Sequence, residues 1–406
     1  MPNFDILFTI DMKDLHIWQK SSTFASVLMK KTALIIVFLV LCSIVHADSI
    51  ATFTWCGAGK RVFLQGDFEV ADGRRKYDEL HPRKIRMQLG SDSCYHVTLP
   101  RLVPELYTYN FVVDGKRVLD PFNPDTAWQA EKQYNIVTIS GSPQVALYEQ
   151  PVVSGQLIRT TWYDRHAERN RRLCIYLPAA YSGQQSAVSD QQSAVSGQGF
   201  PVLYLLHGIS GYENSWAERG RVVQILENLI AAGKTAPMIV VMPDCNVDTC
   251  AGGALHQSLW HSVPRYSQLK HDRSLEFAIE DLDRYISSTY RVSGRRAIAG
   301  LSSGARIAAS IAKHYPDMFE AVGLFSPVVY NEQLPEKQSA VSNQQSGVRY
   351  YIYVGKNDIF VSNARQFHRR LNRRGIPHRY TETDGEHVWR NWRWFLTDFL
   401  QQILCS

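Results

Sequence analysis

The run Gly300-Leu301-Ser302-Ser303-Gly304 constrains this chain more than any other feature. It sets a serine between two glycines, after a short apolar segment, Ala297-Ile298-Ala299, and before a helical-looking one, Ala305 to His314, stopped by Pro316. A Gly-x-Ser-x-Gly pattern arises by chance in a chain of this length with probability on the order of 0.1, so its context has to carry the reading. Strand, tight turn, helix is the order that holds a serine hydroxyl clear of a sheet at the positive end of a helix, and such a turn needs glycines because it crowds neighbouring backbone. The competing reading is a site where small residues only let a helix lie close to a strand.

A serine is almost wholly protonated at neutral pH and needs a base to act as a nucleophile. In a strand-turn-helix of this kind the partners follow in the order serine, acid, histidine. Downstream, "VRYYIYVGKNDIFV" reads as a strand ending at Gly355, with Asp358 on the loop beyond, and "TDGEHVWRNWRWF" puts His387 on a loop before an aromatic helix. His368 lies inside "NARQFHRRLNRR", a helical stretch whose basic neighbours point to a solvated face, so His387 is the expected base. Asp384 and Glu386 compete with Asp358 but sit too close in sequence to His387, and Asp384-Gly385 reads as a turn. The expected oxyanion donors are the amide of Ser303 and that of Ile209, which follows Gly208 after the apolar run Val202 to Leu206. His207 precedes the serine, the wrong chain order for a base, and is expected to fix its loop by hydrogen bonds.

From about Leu157 the pattern alternates strands with helices. "PVLYLLHG" and "APMIVVMPD" are continuous apolar runs ending in turn residues, as in strands buried on both faces of a parallel sheet, and "RSLEFAIEDLDRYISSTY" has helical spacing. Residues 48–140 differ. "RVFLQGDF" and "CYHVTLPRL" read as short strands, and "LYTYNFVVDGKRVLD" alternates Tyr107, Tyr109, Phe111 and Val113 against Thr108, Asn110 and Val112 before turning at Asp114-Gly115, which predicts a half-buried hairpin in a small β-sandwich. The period-two stripe assigns Tyr107 and Tyr109 to a core; Trp55 and Trp128 stay open between packing and sugar stacking. Residues 141–156 read as a linker and 157–406 as a second domain. The unit "QQSAVS" recurs in two loops, before Pro201 and before Val348, with a composition that cannot order itself and to which no function is assigned.

The N-terminal text narrows the compartment. Met29-Lys30-Lys31, an apolar stretch to Val45, and Val45-His46-Ala47 have the form of a secretory signal peptide, which makes residues 1–28 a spurious extension and the expected location secreted or periplasmic. The apolar run is well short of the ~20 residues of a membrane-spanning helix, and Leu41 before Cys42 argues against a lipid anchor. Beyond the signal, Cys56 with Cys94 and Cys245 with Cys250 are candidate disulfides; buried free thiols are the alternative for each pair. No Cys-His spacing resembles a metal site, no cofactor is expected, and a charge of +6 without a basic block gives no reason to invoke nucleic acid.

His207-Gly208, the Gly300 to Gly304 turn, Gly355-x-x-Asp358 and Gly385-x-His387-x-Trp389-x-x-Trp392 together resemble the esterase D family, whose secreted members include feruloyl and acetylxylan esterases. The resemblance covers roughly residues 155–402. It implies an α/β-hydrolase fold with a mostly parallel sheet, a Ser302–His387–Asp358 acyl-enzyme mechanism, and an ester of plant cell-wall polysaccharide as substrate, with Trp389 as a candidate substrate contact. Ser303 stands where the family often has Met and Ala305 where it often has Gly, which bears on pocket shape. The order of motifs in residues 48–140 resembles immunoglobulin-like early-set domains related to glycogen-binding modules. A siderophore esterase, which joins a sandwich to an esterase D domain, is the rival within the same chemistry; a carbohydrate-binding protein with an inactive esterase domain is the rival outside it.

Overall fold

Alternating strands near the N-terminus build two small sheets. In a computed structural model that describes residues 50–403 apart from 80, 130–131, 149–154, 167, 184–198, 210, 246–264 and 336–347, nine strands precede the α/β region. They are β1 (Ala51–Trp55), β2 (Val62–Gly66), β3 (Arg83–Arg86), β4 (Gln88–Leu89), β5 (Tyr95–Leu99), β6 (Glu105–Val113), β7 (Lys116–Val118), β8 (Thr126–Gln129) and β9 (Lys132–Ile139). One sheet has the order β1-β5-β4; the other runs β3-β2-β6-β9-β8, with β7 paired to β6. The Asp114-Gly115 turn has positive φ at both residues, 48° and 87°, the form that suits the twist of a two-residue hairpin. Cys56 and Cys94 form a disulfide. The signal-like segment, Cys42, Cys250, Cys405 and the QQSAVS loops lie outside the described residues.

The hairpin departs from its expectation in one respect. All nine residues of β6 are buried, not every second one. Tyr107, Tyr109 and Phe111 fill the core of the β domain with Phe53, Leu64 and Phe68, while Leu106 on the same strand belongs to a core shared with the α/β region. An alternating pattern marks one buried face, and here a second face is covered by the rest of the chain. Trp55 packs against Phe111, and Trp128 lies on β8 beside the helix that begins at Ser215. The expected linker is anchored too: Val145–Tyr148 form a 3-10 turn whose Val145 and Tyr148 are buried in that shared core.

The α/β region is one sheet of eight strands. A hairpin of β10 (Gln156–Asp164) and β11 (Arg169–Leu177) lies antiparallel at one edge. Six parallel strands follow in the order β13 (Ile239–Pro243), β12 (Phe200–Leu206), β14 (Val292–Leu301), β15 (Ala321–Phe325), β16 (Arg349–Gly355) and β17 (His378–Thr383). The described helices used below are α1 (Ser215–Glu218), α2 (Val222–Ala231), α3 (Arg265–Thr289), α4 (Ser303–His314), α5 (Val361–Arg374) and α6 (Trp389–Gln402). Strand alternation divides β12 between two cores. Val202, Tyr204 and Leu206 belong to one core with residues of α3, α4 and α5; Leu203 and Leu205 belong to a second with residues of α2, α6 and the β domain's Leu106, Ala127 and Ile136. Because β12 and β14 to β17 all run the same way, the loops after Leu206, Leu301, Phe325, Gly355 and Thr383 emerge at one carboxyl edge, which is where such sheets carry their sites.

Candidate active site

Ser302 stands at the turn from β14 into α4 with φ 55° and ψ −116°. This is a disfavoured conformation for a residue with a side chain, costing on the order of 1–3 kcal/mol, and it holds only because its surroundings over-determine it. Its amide donates to the Phe325 carbonyl at 2.8 Å, tying the turn to the neighbouring strand. A Cβ at Gly300 would lie 2.5 Å from the Gly304 carbonyl, and one at Gly304 only 2.3 Å from the carbonyl oxygen of His207. Both glycines are therefore demanded by close backbone approach, as expected.

The acid and the histidine come together. Asp358, 2% exposed on the loop after β16, accepts from His387 Nδ1 at 3.1 Å and 3.0 Å through its two oxygens. The Phe360 amide donates to the same carboxylate at 2.8 Å. Burial pushes the Asp358 carboxyl up, but the hydrogen bonds and charge of His387, with further bonds from Ser326 and Phe360, outweigh it and hold it below the usual carboxylate range. The imidazole sits between Phe360 and Trp392, each ring edge-on with centroids 5.0 Å away. Ser302 is 6% exposed, and its hydroxyl makes no hydrogen bond among the described residues; nucleophile–base contacts are often loose until substrate binds.

Ser326 went unnoticed in the sequence. It follows β15 with φ 49°, its amide donates to the Tyr353 carbonyl at 2.7 Å, and its hydroxyl accepts from Trp392 Nε1 at 3.0 Å and helps to hold the Asp358 carboxyl low. It lies beside Ser302 in strand order and links the acid to the ring that braces His387. A serine after an apolar run carries no sequence signal of this role.

The amides expected as oxyanion donors sit on the two sides of the turn. Ser303 opens α4, where the first N–H groups have no intrahelical acceptor. The loop that bears Ile209 presses on the elbow, since a Cβ at Gly208 would meet the Leu301 side chain at 2.5 Å and Ser302 Cβ at 3.2 Å. Neither amide has an acceptor among the described residues. His207 is buried. Its Nε2 lies 2.9 Å from the Cys245 amide and 3.4 Å from the Asp244 carboxylate, and its Nδ1 donates to the Gly208 carbonyl at 2.8 Å, so it fixes the loop as expected.

Of the Cys245–Cys250 candidates, Cys245 is a buried free cysteine whose thiol contacts the Pro243 carbonyl, and Cys250 lies outside the described residues. Two expectations need correction. Trp389 is not open to a ligand: it is 7% exposed, edge-on to Trp216 and Trp392, and part of the shared core. His368 is half-buried rather than on a solvated face, bonded to His378 at 2.8 Å and stacked on Tyr380.

A sheet of this order with a serine elbow, an acid–histidine pair and free amides at one edge defines an α/β-hydrolase-type fold and a carboxylic ester hydrolase. Residues 165–403 match the family described as "Putative esterase", and the chain belongs to that family. Over 262 residues it is 26% identical to an endo-1,4-beta-xylanase/feruloyl esterase of Xylanibacter ruminicola; the match covers 63% of this chain and 32% of the relative, so the chain spans about a third of that protein's length. Among solved structures, a ferulic acid esterase of Anaeromyces mucronatus in complex with ferulic acid superposes with a TM-score of 0.52 at 24% identity, covering 66% of this chain and 98% of that one. The enterobactin esterase of Shigella flexneri, solved with enterobactin, reaches 0.56 at 17% identity, covering 87% and 92%. At these identities the structural likeness is one of fold. No described helix is long and apolar enough to cross a membrane.

Proposed function

We propose that this chain is a secreted or periplasmic serine esterase that releases ferulic or related hydroxycinnamic acids from plant cell-wall arabinoxylan. The reading is carried by one observation: an Asp358–His387 pair bonded at 3.0 Å, on the same sheet edge as a strained serine elbow. In this scheme Ser302 Oγ attacks the ester carbonyl while His387 takes its proton, and Asp358, kept ionised by its hydrogen bonds, holds the imidazole with Nε2 facing the serine. The amides of Ile209 and Ser303 receive the negative oxygen, where loss of one donor costs about 3 kcal/mol. Collapse expels the alcohol with the proton from His387, and water repeats the sequence to free Ser302.

The hydroxycinnamoyl preference is supported by the names of the Xylanibacter relative and the Anaeromyces structure. Secretion rests on the signal-like segment 29–47, and the β domain is read as an immunoglobulin-like early-set module akin to glycogen-binding domains. A second reading, hydrolysis of an enterobactin-type siderophore, is favoured by the Shigella esterase, whose coverage of this chain extends into the β domain. The purified chain is to be incubated with methyl ferulate, feruloylated arabinoxylan oligosaccharide and a ferric catecholate trilactone. Release of ferulate from the first two, abolished by Ser302→Ala in a folded protein, is the expected result. Cleavage of the trilactone without ferulate release selects the siderophore reading, and undiminished turnover by Ser302→Ala removes Ser302 from the mechanism.

A further inference from the structure

We propose that Glu79, on the β domain, is a positioning residue for the base His387: its carboxylate caps the helix that follows the base loop and ties it to the segment that follows the oxyanion loop. The inference rests on the proposed role of His387.

The sequence leaves α6 badly started. Its N-cap is Val388, which has no side-chain cap bond, at a position where Ser, Thr, Asp or Asn would normally satisfy the first amides. The missing acceptor comes from 310 residues away. Glu79 Oε2 accepts from the Trp389 amide at 3.0 Å and from the Tyr77 hydroxyl at 3.2 Å. The side chain of Glu79 is 4% exposed, so both bonds are made out of water, and a carboxylate at a helix N-terminus also opposes the positive end of the dipole.

The other carboxylate oxygen reaches the opposite side of the site. Glu79 Oε1 accepts from Arg219 Nη2 at 2.6 Å. Arg219 caps α1, with its amide bonded to the Ser215 carbonyl, and α1 follows directly on the loop of Gly208 and Ile209. Its guanidinium also lies over the Trp389 ring, 5.6 Å from the centroid. One carboxylate thus joins the two segments that have to keep base and oxyanion donors in register.

The mechanical path to the imidazole is short. His387 lies two residues before the capped amide. Trp392, in the next turn of α6, donates its amide to the Val388 carbonyl and sets its ring against both Trp389 and His387. If the first turn of α6 frays, Trp392 shifts and the imidazole loses one of its two ring walls. Displacements of about 1 Å at such a distance are enough to cost up to 10²-fold in rate.

The test uses the full chain and a soluble aryl ester, with Glu79→Ala, Glu79→Gln and His387→Ala. Glu79→Gln keeps an oxygen for the Trp389 amide but loses the charge facing Arg219. The expected result is a roughly tenfold fall in kcat for Glu79→Ala with KM within about twofold, a roughly threefold fall for Glu79→Gln, an undiminished active-site burst, and a displaced acid limb in the pH profile of kcat. If Glu79→Ala does not fold, Glu79→Gln decides alone. A kcat equal to that of the parent, or a fall matched by an equal loss of burst amplitude, overturns the proposal, because either means that Glu79 only holds domains together. His387→Ala keeps the two readings apart: its full activity sinks the base assignment itself, whereas its inactivity beside an unchanged Glu79 variant sinks only the positioning role.

Discussion

The elbow around Ser302 and the seam between the β domain and the α/β sheet both brace the same site, yet they are made of opposite materials. The elbow is backbone on backbone, with Gly304 so close to the His207 carbonyl that a methyl group does not fit. The seam, beside the apolar core it shares with the sheet, is held by charge on charge. Glu105, 4% exposed, accepts from Arg393 Nη2 and Arg390 Nε, both at 2.9 Å; Arg390 also reaches Glu69, and Arg393, fully buried, donates to the Arg219 carbonyl. Backbone contacts hold position through steric exclusion and fail abruptly. Buried ion pairs hold it only while every partner is present, because a lone charge is stranded out of water.

Breaking the elbow has the largest expected effect. Gly304→Ala puts a Cβ against the carbonyl oxygens of His207 and Leu206, at 2.3 Å and 2.7 Å, so β12 and the start of α4 have to part. We expect kcat/KM on a soluble ester to fall about 10²-fold, since the serine and both proposed oxyanion amides move together. A variant within threefold of the parent shows that the close approach is not what sets the site.

Breaking the seam acts on stability first. Arg393→Met leaves the buried Glu105 with Arg390 as its remaining cation and frees the Arg219 carbonyl, which is expected to cost about 3–5 kcal/mol in urea denaturation. A loss below about 1 kcal/mol equates the pair with an exposed salt bridge and removes the contrast with the elbow.

The contrast also explains what could be read in advance. The elbow, Asp358 and His387 were legible because chain order and glycine spacing are written in consecutive residues. So was the parallel sheet, whose strands are continuous apolar runs. Glu79, Glu105 and Arg393 were not, because an acidic residue in a polar loop or an arginine on an aromatic helix reads as solvated until a second domain covers it. The same cover buried all of β6, whose Thr108 and Asn110 alternate as if facing water. Val388 at the head of α6 lacks a side-chain cap, and the acceptor that replaces it, Glu79, lies in another domain. Ser326 escaped for a different reason. Its neighbours across the sheet, not its neighbours in the chain, give it a role.

The finest test of the seam is its response to pH. Asp67, fully buried behind Glu79, accepts from the Thr108 amide at 2.7 Å and hydroxyl at 2.9 Å. Burial, helped by the charge of Glu79, pushes its carboxyl up to about 7, against the opposing pull of the Thr108 bonds and the Arg219 cation. Because the folded state holds this proton more tightly than the unfolded chain does, the stabilisation is complete below the ordinary carboxylate value near 4 and is lost as pH rises through about 7. The slope from this one group is at most about 1.4 kcal/mol per pH unit, and less where solvent relaxation softens the burial. Asp67→Asn keeps an acceptor for the Thr108 amide and cannot ionise. Subtracting its denaturation free energy from that of the parent, point by point from pH 4 to 8, is expected to give a difference that declines with rising pH. A flat difference means that Asp67 is ionised throughout, and that the seam accommodates a third buried negative charge beside Glu79 and Glu105.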